Sequence, residues 1–309
     1  MSPKPPETGG DLPPHLRALE AEAIHIFREA AADARRPVVL FSGGKDSTVL
    51  AHLATAAFYP SRPPMPLMHI DSTFEFPETL AFRDALARDW GFELIVRRNE
   101  DGLAQKISPF THGSALYTDL MRTFPLKAAL DELGCDVIFD GARRDEEKSR
   151  AKERMVSIRS QGHGWEPRAQ RPELWRLYNA RLSPGQTARV FPLSNWTEAD
   201  IWTYAWARSL PLAPLYFAAP RPTVVRDGAL LVVADARYPF AVGEEPVTRH
   251  VRFRTVGCWP VTAAIESDAA SLPEVLIETL AARHSERQGR LIDTDEGGSL
   301  ESKKRQGYF

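Results

Sequence analysis

A chain of 309 residues, 43% hydrophobic and 26% charged, has the composition of an ordinary globular protein, the length of about two domains and ample apolar material for a large core. Its formal net charge of −2 argues against bulk electrostatic binding to nucleic acid or to an anionic membrane, and no apolar run approaches the roughly 18 residues of a spanning helix. The two cysteines, Cys135 and Cys258, are too few and too far apart for a four-thiolate zinc site, a Cys-x-x-Cys redox pair or an iron–sulfur cluster, so both read as small buried hydrophobes.

Residues 1–14 are polar and proline-rich, without the charged-then-apolar order of a signal peptide; a disordered tail and a cytoplasmic protein are expected. Leu16, Leu19, Ala23, Ile26 and Phe27 mark one face of a helix over residues 15–35, which Pro37 ends. In Val38-Val39-Leu40-Phe41-Ser42-Gly43-Gly44-Lys45-Asp46-Ser47-Thr48, an apolar, β-branched run stops at two glycines, and an apolar series at helical spacing follows. This predicts strand, tight turn and helix, and the free N–H groups of the new helix make such a turn a ready anion site. It is not a Walker A loop, since Val39 stands where the first glycine is required and Asp46 follows Lys45.

Next come a short buried strand over 67–71, a helix from Pro77 to a Gly91 stop, a strand over 92–96, an irregular stretch over 99–116, a helix over 120–133 capped by Gly134, and a strand over 136–139. Strands alternating with helices imply an α/β fold with a mostly parallel, doubly wound sheet, in which ligands bind beyond the strand carboxyl ends. Ser42, Asp71 and Asp140-Gly141-Ala142-Arg143 all fall at such ends, and one cleft suits all three.

The charged run from Arg143 to Arg154 allows two readings: a solvated helix with i, i+4 pairs such as Glu146 with Arg150, or an anion clamp in which arginines meet oxyanions bidentately. Residues 155–190 read as loop. Thr197 and Asp200 have capping-box spacing before a helix whose Trp202 and Trp206 read as packing. The pattern changes after Leu212, toward a strand over 230–234 behind the Asp227-Gly228 turn, a strand over 251–255 with its arginines on one face, a helix over 273–284 and a basic tail.

Ser42-Gly43-Gly44-Lys45-Asp46-Ser47 resembles the pyrophosphate loop (PP-loop) of the ATP-pyrophosphatase superfamily, whose members transfer AMP and hold the leaving pyrophosphate in this turn. From about His15 to Phe309 the chain resembles the small, catalytic subunits of bacterial heteromeric sulfate adenylyltransferases. The segments that carry this are Gly141 to Arg154, Gln170-Arg171-Pro172-Glu173-Leu174-Trp175, Val190 to Glu198, Val251-Arg252-Phe253-Arg254-Thr255 and the terminal Lys304-Arg305-Gln306-Gly307-Tyr308-Phe309.

The resemblance implies an adenine nucleotide alpha hydrolase-like sheet, with an ATP-binding domain at 15–212 and a C-terminal region at 213–309 for the substrate cleft and partner docking. It implies AMP transfer from ATP to sulfate, giving adenylyl sulfate and pyrophosphate in sulfate assimilation and cysteine biosynthesis, with Mg²⁺ and a large GTPase subunit as partner. Ser42, Gly43, Gly44, Lys45, Asp46 and Ser47 are then expected on pyrophosphate, with Asp46 also on the metal, and Ile70 and Asp71 on the nucleotide. Arg143, Arg144 and Lys148, with Lys45, are expected to act on sulfate or the α-phosphate, and Arg252 and Arg254 to reach the nucleotide. One stretch departs from the family pattern: in Asp71-Ser72-Thr73-Phe74-Glu75-Phe76, Glu75 puts an acid where a base is expected, closer to phosphoadenylylsulfate reductases. Those need a C-terminal catalytic cysteine, and Gln306-Gly307-Tyr308-Phe309 contains none. Adenylyl transfer to another oxyanion or acid, and a nucleotide-binding subunit without turnover, are the further alternatives.

Overall fold

The computed structural model of the chain describes residues 11–146 and 148–281, the side chains of Lys148 and Ser149 excepted. Helix α1 (Pro14–Asp33) opens on a proline, whose fixed φ suits a first turn, and buries Leu16, Ala23, Ile26 and Phe27. Leu12 is already buried, so order begins inside the stretch expected to be a tail. Strand β1 (Pro37–Leu40) and helix α2 (Lys45–Phe58) flank the glycine turn; β2 (Leu67–Ile70), α3 (Pro77–Trp90) and β3 (Leu94–Arg97) follow. Gly91 ends α3 in the left-handed conformation, φ 73°, which glycine adopts without a Cβ penalty.

The stretch expected to be irregular holds three short helices, α4 (Glu100–Ala104), α5 (Pro109–His112) and α6 (Ser114–Thr118). Each is too short to display a helical period, and α4 and α5 rest on side-chain caps from Asn99 and Ser108. A π turn, Asp119–Thr123, then precedes α7 (Phe124–Leu133), where one continuous helix was expected. Pro125 accounts for the break, because it has no N–H to donate into the preceding turn.

Strand β4 (Val137–Phe139) and the four-residue helix α8 (Lys148–Ala151) lead into 155–190, where the loop reading misses β5 (Val156–Arg159) and β6 (Thr187–Val190). Helix α9 (Glu198–Ala207) starts at the expected capping box of Thr197 and Asp200. Its Trp202 is core, whereas Trp206 is 53% exposed. Then come β7 (Ala219–Arg226), β8 (Ala229–Val232), β9 (Val247–Arg252), β10 (Ile265–Glu266) and α10 (Leu272–Ala281). The basic tail and residues 282–284 of the last expected helix lie outside the described residues.

Among the described residues the first sheet runs β3, β2, β1, β4, β6, β5. It is parallel except for the antiparallel pairing of β5 with β6. The apolar run of β1 is buried on both faces: Val39 joins the large core cluster on one side, and Val38 packs with Met68, Leu126, Leu130 and Ile138 on the other. The second sheet, β10, β9, β7, β8, is antiparallel. Its β7–β8 turn puts Asp227 and Gly228 at φ 52° and 76°, both left-handed as a tight hairpin requires. Val224, Leu231 and Val251 of this sheet belong to the same apolar cluster as Val39 and Ile201.

Two histidines are buried inside this frame. His69 Nδ1 lies 2.9 Å from the Phe41 carbonyl oxygen, and His52 Nδ1 lies 3.2 Å from the Tyr204 hydroxyl, whose own hydrogen goes to Glu20. Both contacts require the Nδ1–H tautomer. Burial first, and nearby arginines second, lower both imidazoles from 6.5 to about 4, although the Phe41 bond opposes this at His69. Folded, both stay neutral where the unfolded chain is protonated. Their contribution is therefore complete above pH 6.5, declines as pH falls, and is fully lost near pH 4, at about 3 kcal/mol each. Denaturant melts between pH 7.5 and 4 are expected to show this decline, with a shallower slope in His52→Gln; equal slopes in the two proteins would remove His52 from the account.

Candidate active site

Strand β1 has β2 on one side and β4 on the other, so the chain reverses its direction of winding at β1. Such a switch point opens a crevice beyond the strand ends, between the loops that leave β1 and β4. Residues 42–44 leave β1 and residues 140–143 leave β4. Gly43 sits at φ +77° with Thr79 Cγ2 only 2.7 Å from where a Cβ would stand, and at Gly141 a Cβ would lie 3.3 Å from the Asp46 carbonyl carbon. Gly43 thus lets its loop close on the start of α3, and Gly141 lets the loop after β4 close on the start of α2.

The loop is tied internally. Ser42 Oγ accepts from Gly44 N at 3.3 Å and lies 3.2 Å from Ser47 Oγ, while Ser47 and Thr48 hydroxyls donate to the Gly44 carbonyl at 2.9 Å each. Lys45 N donates to the Tyr216 hydroxyl at 2.7 Å. Lys45 Nζ lies 3.0 Å from Asp46 Oδ2, and Arg143 Nη1 donates to Asp46 Oδ1. Ser42, Gly44, Lys45, Asp46 and Ser47 border one cavity. Leu40, Met68, Ile70 and Leu126 line it as an apolar slot, and Glu75, Tyr117, Arg122 and Cys258 border it as well.

The expected residues divide accordingly. The loop residues other than Gly43 meet Ile70 at the cavity, but the N–H groups of Gly44 and Lys45 already have the Ser42 and Tyr216 oxygens as partners. Asp71, one residue past β2, accepts from Thr73 N at 2.8 Å. The arginine-rich segment forms the expected Glu146–Arg150 pair at a short helix, with both side chains mostly buried rather than solvated, and its first two arginines meet acceptors of the protein itself. Arg143, 1% exposed, spends its guanidinium on Asp46 and on Asp145 at 3.0 Å. Arg144 donates to Asn195 Oδ1 at 2.8 Å and to the Glu153 carbonyl at 3.4 Å. The segment reaches the cavity instead through Glu146 and Arg150, paired at 2.5 Å. The Lys148 side chain lies outside the described residues. Arg252 is buried against Glu278 and Ser267, and Arg254 donates to Glu198 at 3.2 Å. Neither borders the cavity. Strand β9 stops at Arg252, so the two do not share a strand face as the alternation suggested.

The phosphoadenosine phosphosulfate reductase domain family matches residues 36–264. A protein of Methylococcus capsulatus called sulfate adenylyltransferase subunit 2 is 57% identical over 295 residues, covering 96% of this chain and 98% of its own. One of the same name from Rhizobium sp. is 58% identical, covering 96% and 99%. The chain belongs to the sulfate adenylyltransferase subunit 2 family. A solved phosphoadenylyl-sulfate reductase from Candida auris, in a phosphate complex, is similar over 67% of this chain and 92% of its own, at 19% identity and a TM-score of 0.46.

Several residues of this family member's cavity were not legible from sequence. Tyr216, from the 3₁₀ turn Pro214–Tyr216, is far from the loop in sequence and carries no motif. Tyr117 lies between the irregular stretch and the expected helix over 120–133, and Arg122 lies inside that helix, where no motif marks it. Cys258, expected to be a small hydrophobe, is buried but polar in its contacts, with Sγ 2.9 Å from Ser72 Oγ; burial pushes its thiol up. Glu75, the acid in place of a base, borders the cavity as well.

The Gly43 geometry is testable. A Cβ there meets both the left-handed strain and Thr79, so Gly43→Ala is expected to cost about 1–3 kcal/mol of stability and to weaken nucleotide binding. Calorimetric titration with ATP beside a thermal melt checks both; unchanged binding and melting would show that the turn tolerates another backbone conformation.

Proposed function

We propose that this chain transfers AMP from ATP to sulfate, as the relatives' name describes for them. The observation that carries the proposal is the loop of residues 42–47 at the switch point, opening into one cavity with an apolar slot beside it. The triphosphate tail would lie over the loop, where Lys45 and the N-terminus of α2 meet negative charge. The adenine would enter the slot of Leu40, Met68, Ile70 and Leu126. Ser42 and Ser47 present hydroxyls to the phosphates, and Arg143 acts one step back by fixing Asp46.

In the reaction, a sulfate oxygen forms a bond to the α-phosphorus while the bond from that phosphorus to the β-bridging oxygen breaks, so pyrophosphate departs with the electron pair. ATP⁴⁻ and SO₄²⁻ become adenylyl sulfate, 2−, and pyrophosphate, 4−; no proton has to move. Catalysis is then a matter of positioning and charge stabilisation, which suits a cavity whose bordering cations are held by carboxylates and buried contacts.

Mg²⁺ is bound in such sites by one or two carboxylates together with substrate phosphates. Among the described residues no group of three His, Cys, Asp or Glu side chains forms a cage, and Asp46 at the loop is the carboxylate that fits a metal arriving with ATP. Mg²⁺ would supply neutralisation of phosphate charge there. The thiol-dependent alternative is disfavoured because the cysteine at the cavity, Cys258, is 1% exposed with its thiol pushed up by burial. The name subunit 2 points to a partner chain, and we assign it the role of a GTPase, because the phosphosulfate anhydride is harder to form than the ATP bond it replaces. No helix among the described residues is long and apolar enough to cross a membrane.

Pyrophosphate release from Mg·ATP by the purified protein is expected to require sulfate and to rise with a candidate GTPase partner plus GTP. Lys45→Ala is expected to lower it about 100-fold or more, assayed well below the variant's own melting temperature so that the loss is not one of folding. Release that ignores sulfate, or full turnover in Lys45→Ala, would contradict this reading.

A further inference from the structure

The part of the cavity bordered by Glu75, Tyr117, Arg122 and Cys258 is built as a unit of its own. The π turn Asp119–Thr123 carries Arg122, one turn ahead of Leu126 on the slot. A π turn widens the helix by a residue and offsets the side chains that follow, and such turns are concentrated at functional sites. Arg122 Nη1 contacts Cys258 Sγ at 3.8 Å. The thiol in turn touches Ser72 Oγ at 2.9 Å and the Tyr117 hydroxyl at 3.6 Å. Tyr117 donates to the Ser72 carbonyl at 2.8 Å, while Ser72 N and Oγ donate to Glu75 Oε1 at 3.0 and 2.6 Å. Ser72, Tyr117 and Cys258 are each at most 1% exposed. The second oxygen of Glu75 is buried without a hydrogen-bond partner. A polar set this well buried holds its members in one arrangement.

Resting on the adenylyl-transfer reading, we propose that Arg122 holds the tetrahedral dianion that attacks the nucleotide, with Tyr117, Ser72 and Cys258 as positioning residues and Glu75 controlling access to the guanidinium. Two arguments support it. An in-line displacement needs the nucleophile opposite the leaving group, so with pyrophosphate on the loop the acceptor belongs on the other side of the α-phosphorus. Of the cations that border the cavity, Lys45 stands on the loop beside Asp46 and Arg150 beside Glu146 in the segment after β4, whereas Arg122 stands in the second cluster beside Cys258. A guanidinium also offers paired donors that match two oxygens of a tetrahedral anion.

Glu75 sets a pH dependence. Burial raises its carboxyl, Asp71 adds to the rise, and Ser72 and Arg122 oppose it. Tyr117 and Cys258 face the same group, and both are pushed up by burial, so they stay neutral. At lower pH Glu75 is uncharged and its hydrogen is available to an anion. As pH rises and it ionises, it competes with the dianion for Arg122 and repels it. Sulfate affinity therefore falls with rising pH.

The test is equilibrium dialysis of labelled sulfate against the full-length protein saturated with Mg²⁺ and the α,β-methylene analogue of ATP, which binds but cannot transfer. Arg122→Gln is expected to weaken sulfate about tenfold or more, the worth of a charge-assisted hydrogen bond, with the analogue's affinity within about twofold of wild type. Arg122→Lys is expected to recover part of the loss, and Glu75→Gln to flatten the pH profile. Unchanged sulfate binding in Arg122→Gln, equal losses of sulfate and analogue, or no sulfate binding by the wild type would each overturn the proposal. Sulfate bound through Arg122 without sulfate-dependent pyrophosphate release would sustain the anion site and overturn the adenylyl-transfer reading instead.

Discussion

The site depends on one carboxylate held between two buried cations. Asp46, on the first turn of α2, takes the Lys45 ammonium on one oxygen and the Arg143 guanidinium on the other. Lys45 and Arg143 are each 1% exposed, and a buried charge left unpaired costs several kcal/mol even after relaxation. The pairing therefore fixes more than a side chain. Lys45 and Asp46 belong to the loop that leaves β1, and Arg143 to the one that leaves β4, so the contact sets the width of the crevice between them. The helix N-terminus favours the carboxylate at that position.

A second tie comes from outside the parallel sheet. Tyr216 lies in the connection from α9 to β7, and its hydroxyl receives the Lys45 N–H. Phe253 N, just past β9, donates to the Leu215 carbonyl at 2.9 Å next to that tyrosine. The antiparallel sheet is thus attached to the anion loop by a short run of hydrogen bonds. Leu215 and Tyr216 thereby join the second sheet to the loop that leaves β1.

Local rules made several elements of the fold readable. The strand, glycine and helix order of residues 38–57 reports itself, because an apolar run buried on both faces and a left-handed glycine each leave a residue-level mark. Capping at Thr197 and the stops at Gly91 and Gly134 were legible for the same reason. What stayed hidden depends on distance in the chain. Strand β5 is four residues long and antiparallel at a sheet edge, so nothing in 155–190 distinguishes it from a loop. The short helices of 100–118 lack the length to show a period, and Pro125 marks a break in the helix without revealing that the turn ahead of it is a π turn. Arginines were the least readable of all. Arg143, Arg144, Arg252 and Arg254 have the residue type of an anion clamp, but each meets an acid or carbonyl from a remote segment, and only tertiary structure supplies those partners. Arg122, without a motif, borders the cavity, as does Arg150 from the charged run.

The account holds that chemistry occurs at the α-phosphorus of ATP with a sulfate oxygen as the nucleophile. The most direct measurement incubates the protein, its partner, GTP and Mg²⁺ with ATP labelled at the α-phosphorus and sulfur-labelled sulfate, and separates the products. Both labels are expected in one compound, formed in step with pyrophosphate. Phosphorus label recovered in ADP, with no compound carrying both labels, would contradict it.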